Sequence, residues 1–207
     1  MDESAGLTSA KEWIAEVRAQ SSAVDHAIVA AVEGTKTPAL DRFLVRLSDA
    51  ANGSRLWFAI AGVVAAAGGH RGRRAAGQAV LAIGLASSTS NLALKSLSRR
   101  RRPGASGEGQ IVASRRVRRP SSPSFPSGHA ASAFAFASSM GESVPALWVP
   151  LHLAAGLVAY ARVHTGVHYP SDVAAGALVG ALSGWTARRL ARRLAPAPTG
   201  GRPACPS

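Results

Sequence analysis

A single cysteine, Cys205, stands in the whole chain. One thiol excludes a disulfide framework within the chain and a cysteine-built zinc site. Aromatic residues are scarce too: they make up 5% against 47% hydrophobic residues, so the apolar excess is Ala and Gly. Small side chains suit helices packed at close range better than a β-sandwich. Acids thin out along the chain, and beyond Glu108 only Glu142 and Asp172 remain. An acid that rare in a basic stretch needs a reason. The N-terminal MDESAGLTSAKEW has acids and no apolar core, so it is not expected to be a cleavable signal peptide.

What the chain has in excess is positive charge, formally +13. That excess suits a solvated basic surface, the anchoring of membrane helices, or an anionic partner such as phosphate, acidic lipid or nucleic acid. Its 207 residues are enough for one domain with its own core.

Residues 1–54 read as amphipathic helices. Ser9 and Glu12 form a capping-box pattern ahead of Trp13, Ile14 and Val17. Thr37-Pro38 marks a second helix start, Leu40, Phe43, Leu44 and Leu47 follow at helical spacing, and Asn52-Gly53 ends the run. This pattern fits soluble core helices and helices lying on a membrane surface equally well. Residues 55–194 hold five apolar segments, near 56–69, 75–94, 126–141, 143–161 and 173–187, with Lys and Arg absent inside all of them. Polar faces are missing, which favours a membrane-embedded bundle over a soluble one. Only the second and fourth segments approach the roughly 20 residues that cross a bilayer unaided. Gly176, Gly180 and Gly184 form a small-xxx-small stripe, the pattern of a helix-packing face. Basic loops at 70–74 and 188–193 fall on one side and the more basic 99–119 on the other, so the positive-inside rule gives no single orientation. Residues 195–207 are Pro/Gly-rich and are expected to be a disordered tail.

Three stretches carry possible chemistry. In KSLSRRRRP, Lys95 and Arg102 lie seven apart, about two helical turns, and could close on one anion. Basic residues also end many membrane helices, so this stretch alone does not decide. In PSFPSGHA, Ser127 and Gly128 would offer free N–H groups at a helix N-terminus, an anion site, with His129 behind them as a proton donor. A capped helix with an incidental histidine reads the same way. In ARVHTGVHYPSD, Asp172 could accept the Nδ1–H of His168 and leave Nε2 as a nucleophile or base, while Arg162 adds a phosphate donor. In an up-down bundle all three stretches fall at one end, so Lys95, Arg102, Ser127, His129, Arg162, His168 and Asp172 could meet.

Lys95 six residues before Arg102-Pro103, then Pro126-Ser127-Gly128-His129, then Arg162 five residues before His168 and three more before Asp172, resembles the tripartite signature of the type 2 phosphatidic acid phosphatase (lipid phosphate phosphatase) superfamily. All three spacings match. Ala161 stands where that family often has Ser. The resemblance implies an all-α membrane bundle of about five spanning helices behind the amphipathic N-terminal helices. It implies metal-independent hydrolysis of a lipid phosphate or diphosphate in two steps, with no cofactor and no nucleic-acid partner. In that scheme His168 is the nucleophile and Asp172 orients it. His129 is the acid and then the base, and Lys95, Arg102, Ser127, Gly128 and Arg162 hold the phosphate. It also implies a multi-pass protein of the cell membrane whose site faces away from the cytoplasm.

Two other readings compete. Vanadium haloperoxidases resemble the same family and bind vanadate in the same pocket, but are usually much larger. A non-enzymatic basic protein binding membrane or nucleic acid would use the Arg runs, yet has no use for His129, His168 and Asp172, and no aromatic residues interleave the basic ones for base stacking. His26, His70, His152 and His164 are expected to be packing or interfacial residues. The cluster Arg115, Arg116, Arg118 and Arg119 is expected to attract anionic headgroups, as is the run Arg99 to Arg101.

Overall fold

The computed structural model describes residues 3–95, 98, 100–103, 115, 117 and 121–194. Among these residues every regular element is helical. The expected tail at 195–207 lies outside them, as do Arg99, Arg116, Arg118 and Arg119.

The first helix, α1, runs Glu3–Glu33. It does not begin at Ser9: no Pro interrupts the residues before it, and the single Gly6 costs only about 1 kcal/mol. Helix α2, Pro38–Ala50, starts where Thr37-Pro38 placed it, with Pro at the first turn, where its missing N–H costs nothing. A short 3-10 turn, Asn52–Ser54, then bends the chain. Gly53 and Ser54 both take left-handed backbone angles, φ 60° and 61°, a conformation common for Gly and uncommon for Ser. Helix α3, Arg55–Ala67, leaves this turn at 59° to α2.

Helix α4, Gly69–Ser88, continues into a π-helical turn, Thr89–Leu94, directly ahead of Lys95. Such turns are rare and often mark functional positions. Helix α5, Gly128–Ser143, begins two residues after Pro126, because Ser127 is extended and caps it. A 3-10 turn, Pro145–Leu147, leads into α6, Trp148–His164, and α7 spans Pro170–Leu194. The apolar segments therefore map onto α3 to α7 with shifts of a few residues at their ends.

Helix α5 is central, packed by α4, α6 and α7. Its neighbours come close because the interior is built of small residues: Ala79, Ala82, Ala86, Ala131, Ala133, Ala135 and Ala137 are fully buried. Trp57 and Phe136 fill the wider space between α3 and α5, with ring centroids 5.4 Å apart. The glycine stripe of α7 lies against the α5 backbone as its spacing predicts. A Cβ on Gly176 would sit 2.4 Å from the Ser127 carbonyl oxygen, and one on Gly180 2.4 Å from that of Ala131.

Large apolar side chains instead face outward: Val149, Leu153 and Leu157 on α6, and Leu178, Leu182 and Trp185 on α7. Among the described residues one helical stretch, Pro145–His164, is long and apolar enough to cross a membrane, or two if the bent pair α2–α3 counts as one span. That is fewer than the expected five. Helix α5 has only 16 residues, α4 opens on Arg71, Arg73 and Arg74, and α7 closes on four arginines.

The α5–α7 contact sets a clear expectation. Gly180→Ala should lower the melting temperature in detergent micelles, corresponding to about 1–3 kcal/mol, the usual cost of overpacking. Gly84→Ala on α4, whose new Cβ would meet nothing within 4 Å, should leave it unchanged or slightly raised. Equal behaviour of the two variants would contradict this packing.

Candidate active site

The starts of α5 and α7 and the ends of α4 and α6 gather at one end of the bundle. The Ser127 N–H donates to the Asp172 carbonyl at 2.9 Å, and the His168 N–H to the Arg162 carbonyl at 3.2 Å. These backbone bonds hold the second and third sequence stretches in register before any side chain is considered.

At the centre is His168. Its Nδ1 lies 3.6 Å from Asp172 Oδ2, ion-pair rather than hydrogen-bond distance. Its Nε2 lies 3.1 Å from Arg102 Nη1. A guanidinium only donates, so Nε2 carries the lone pair and the ring proton sits on Nδ1, facing Asp172. Burial pulls the His168 imidazole down to about 4; the Asp172 carboxylate resists this, and the Arg102 and Arg162 guanidiniums add to it. The ring is therefore neutral at neutral pH.

Arg102 is buried and aimed by backbone: Nη1 donates to Val167 O at 2.8 Å, Nε to Ser122 O at 3.1 Å and Nη2 to Pro123 O at 3.2 Å. Lys95 donates to Asn91 Oδ1 at 2.9 Å, one turn earlier on the π-helical stretch. Burial, then the nearby Arg102 and Arg162 charges, lower the Lys95 pKa. Asp172 is fully buried. Burial raises its carboxyl, but His168, the Tyr169 N–H at 2.9 Å and Arg100 at 2.9 Å outweigh this and keep it below the usual range.

Lys95, Arg102, Gly128, His129 and His168 line one cavity of about 200 Å³. The other three expected site residues stand behind its wall. Ser127 accepts from the Ala130 N–H at 3.5 Å as the α5 cap. Arg162 is buried, with Nη1 donating to Ser48 Oγ and its Nε without a partner. Asp172 supports His168 from below.

Sequence reasoning missed one whole wall. Ala51, Gly53 and Ser54 line the same cavity, Asn52 Oδ1 lies 2.9 Å from His129 Nε2, and Ser48 holds Arg162. Asn52-Gly53 reads only as a helix stop. Arg100 was also misread. It does not face lipid headgroups: it donates to Asp172 Oδ1 and, at 2.5 Å, to Asp25 Oδ2 on α1, and stacks over Tyr169. Arg115 likewise is buried, paired with Asp41 at 2.9 Å and with the Val32 and Thr35 carbonyls. His164 meets Asp41 at 2.8 Å, and His152 stacks on Trp148, both as packing residues.

The model of the PAP2 superfamily matches residues 75–195. The chain is 52% identical over 48 residues to the bacitracin transport permease protein BcrC of Bacillus licheniformis, covering 21% of this chain and 22% of that protein. It is 45% identical over 69 residues to the decaprenylphosphoryl-5-phosphoribose phosphatase of Mycobacterium tuberculosis, covering 31% and 36%. The chain thus spans about a fifth to a third of the length of these curated relatives. Its fold is like the crystal structure of a transmembrane PAP2 type phosphatidylglycerolphosphate phosphatase from Bacillus subtilis, with a TM-score of 0.64 and 22% identity over 84% of this chain and 87% of that one.

The link from α1 to Asp172 can be measured. Arg100→Ala leaves the buried Asp25 without its cation and should destabilise the protein by about 3 kcal/mol. Asp25→Ala should cost a similar amount. The double variant should fall short of the sum by at least about 1 kcal/mol, because the residues touch. Thermal unfolding of the four proteins in detergent gives the coupling, and simple additivity would show that the contact carries no energy.

Proposed function

The chain belongs to the PAP2 superfamily, and from that premise we propose that it is a membrane-embedded phosphatase that hydrolyses a lipid phosphate or diphosphate without a metal, through a phosphohistidine intermediate. The observation that carries this reading is the pairing of His168 with Asp172 on one nitrogen and Arg102 on the other, in the cavity that also holds His129.

In the first step His168 Nε2 attacks phosphorus and the bond to the leaving oxygen breaks. Asp172 compensates the positive charge that develops on the ring. His129 gives a proton to the leaving oxygen. In the second step His129 takes a proton from water, water attacks phosphorus, and the P–N bond breaks. Lys95 and Arg102, with the Gly128 N–H and Arg162 behind, stabilise the equatorial oxygens, where the charge of phosphoryl transfer is spread. One such donor is worth about 2.7–4 kcal/mol of barrier. Ser127 acts by capping α5 and holding the Gly128 N–H toward the cavity.

The substrate class rests on three supports: the outward apolar faces of α6 and α7, a cavity sized for a headgroup rather than a lipid tail, and relatives named for decaprenylphosphoryl-5-phosphoribose and phosphatidylglycerolphosphate. A polyprenyl phosphate or diphosphate, phosphatidic acid, phosphatidylglycerophosphate or a prenyl-linked sugar phosphate all fit. The family resemblance supports a multi-pass protein whose site faces away from the cytoplasm.

Phosphate release across a panel of lipid phosphates tests the reading directly. The purified protein should be active in excess chelator, and His168→Ala should abolish release while melting like the parent. Denaturation in alkaline detergent after brief exposure to labelled substrate should trap base-stable, acid-labile phosphate on the parent chain and none on His168→Ala. Full activity in that variant would refute the mechanism.

The pH profile follows from the neutral nucleophile. The acid limb of kcat/KM, which reports the free enzyme, should fall as pH drops through about 4, rather than near 6.5, the value of an unperturbed histidine. Asp172→Asn removes a group that raises the His168 pKa, so its residual activity should show that limb moved to lower pH. A limb near 6.5 in the parent would contradict the buried, cation-flanked setting of His168.

A further inference from the structure

The turn between α2 and α3 contains a hydrogen-bond relay that the phosphatase scheme does not use. His129 Nε2 lies 2.9 Å from Asn52 Oδ1, and Asn52 Nδ2 donates to Asp49 Oδ1 at 3.3 Å. The direction of this relay is set by chemistry. An ionised carboxylate accepts and cannot donate, so the amide NH2 of Asn52 faces Asp49 and its oxygen faces the histidine. That oxygen accepts only, so His129 carries a proton on Nε2. Asn52 itself is held by the backbone on either side: α2 ends at Ala50, and Gly53 and Ser54 turn the chain through left-handed angles back into α3. Ala51, Gly53 and Ser54 all line the cavity that His129 lines.

We propose that Asn52, oriented by Asp49, is the positioning residue of the general acid, holding the His129 ring with Nε2–H bound so that Nδ1 is the nitrogen that exchanges a proton with the substrate. The inference rests on the phosphatase reading for its chemistry and on geometry alone for the tautomer. Asn52 lies ahead of residues 75–195, the span matched by the family model, so this role is supplied by the N-terminal helices of this chain. Proton balance is simple. The resting ring has a bare Nδ1, which takes up a proton from solvent or from the substrate monoanion as substrate binds; in the first step that proton goes to the leaving oxygen as the P–O bond breaks. In the second, Nδ1 accepts a proton from the attacking water, and the Nε2 proton stays on the ring, bound to Asn52 Oδ1, throughout.

Leaving-group dependence separates positioning from general damage. An alkyl phosphate needs its leaving oxygen protonated, whereas an activated aryl phosphate leaves as a stable anion. Asn52→Ala should lower kcat on a long-chain alkyl phosphate roughly 10- to 100-fold, part of the 100- to 10,000-fold that general acid–base catalysis supplies. KM should change little, and the single-turnover rate at which the aryl phosphate phosphorylates His168, a step that needs no general acid, should be nearly intact. Asn52→Asp, which keeps an acceptor oxygen, should recover most of the loss on the alkyl substrate. Equal loss of that first-step rate on both substrates, or no loss on either, would overturn the proposal.

A second readout does not depend on activity. Heteronuclear NMR of isotope-labelled histidine in micelles, with the His129 signal assigned by its absence in His129→Asn, should show Nε2 protonated throughout the titration and Nδ1 as the site that titrates. Asn52→Ala should remove that preference. A parent ring protonated on Nδ1 with a bare Nε2 would overturn the inference. Failure of the parent to release phosphate from any lipid phosphate would sink the phosphatase reading and leave the tautomer result standing.

Discussion

Helix α7 meets helix α5 backbone to backbone along Gly176, Gly180 and Gly184, and the site exists because of that approach. A side chain at any of the three would lie 3.0 Å or less from a backbone carbonyl of α5. Without the contact the Ser127 N–H could not reach the Asp172 carbonyl, and the beginnings of the two helices would separate. Those beginnings carry Gly128, His129 and Asp172, while His168 precedes one by two residues. In a chain so poor in large side chains, close van der Waals contact between small residues has to supply much of the packing. The same economy of volume leaves room at the helix ends for a charged cavity.

That cavity is held from its N-terminal side by carboxylates. Asp25 on α1 binds Arg100 and both polar groups of Ser171, and Arg100 in turn binds Asp172. Asp41 on α2 binds Arg115 and His164. A buried charge without a partner costs several kcal/mol, so these pairs oblige α1 and α2 to dock where the arginines are. The helices that looked amphipathic and separable are coupled to the site through Asp25, Ser48, Asp49 and Asn52. Asp25, Asp41 and Ser48, buried on these helices, meet arginines from distant parts of the chain.

The candidate site was legible in sequence because it is built from rare residues at fixed spacing. Asp172 is one of two acids beyond Glu108, and its offset of four from His168 predicts the approach of carboxylate to ring that the structure shows. The glycine stripe is equally local: its period of four is a statement about one face of one helix. Contacts between distant segments leave no such trace. Nothing near Asn52 distinguishes a residue that ends a helix from one that ends a helix and binds a histidine 77 positions away. Arg100 and Arg102 sit in one run of four arginines; the spacing from Lys95 singles out Arg102, and only the fold shows that Arg100 supports Asp172. Helix starts failed where propensity gave no boundary, as at Ser9, and held where Pro imposed one, as at Pro38.

The two histidines differ in a way that residue identity cannot express. His168 accepts from a guanidinium on Nε2 and faces a carboxylate with Nδ1, so its lone pair is on Nε2. His129 faces an amide oxygen with Nε2, so its lone pair is on Nδ1. Each ring has one nitrogen committed to a partner that admits a single protonation state, and that commitment assigns the other nitrogen its task. In the proposed scheme Asp172 and Arg102 make one imidazole the nucleophile, and Asn52 and Asp49 make the other the proton carrier. The division of labour therefore resides in four neighbouring side chains, two of them contributed by helix ends that carry no recognisable motif.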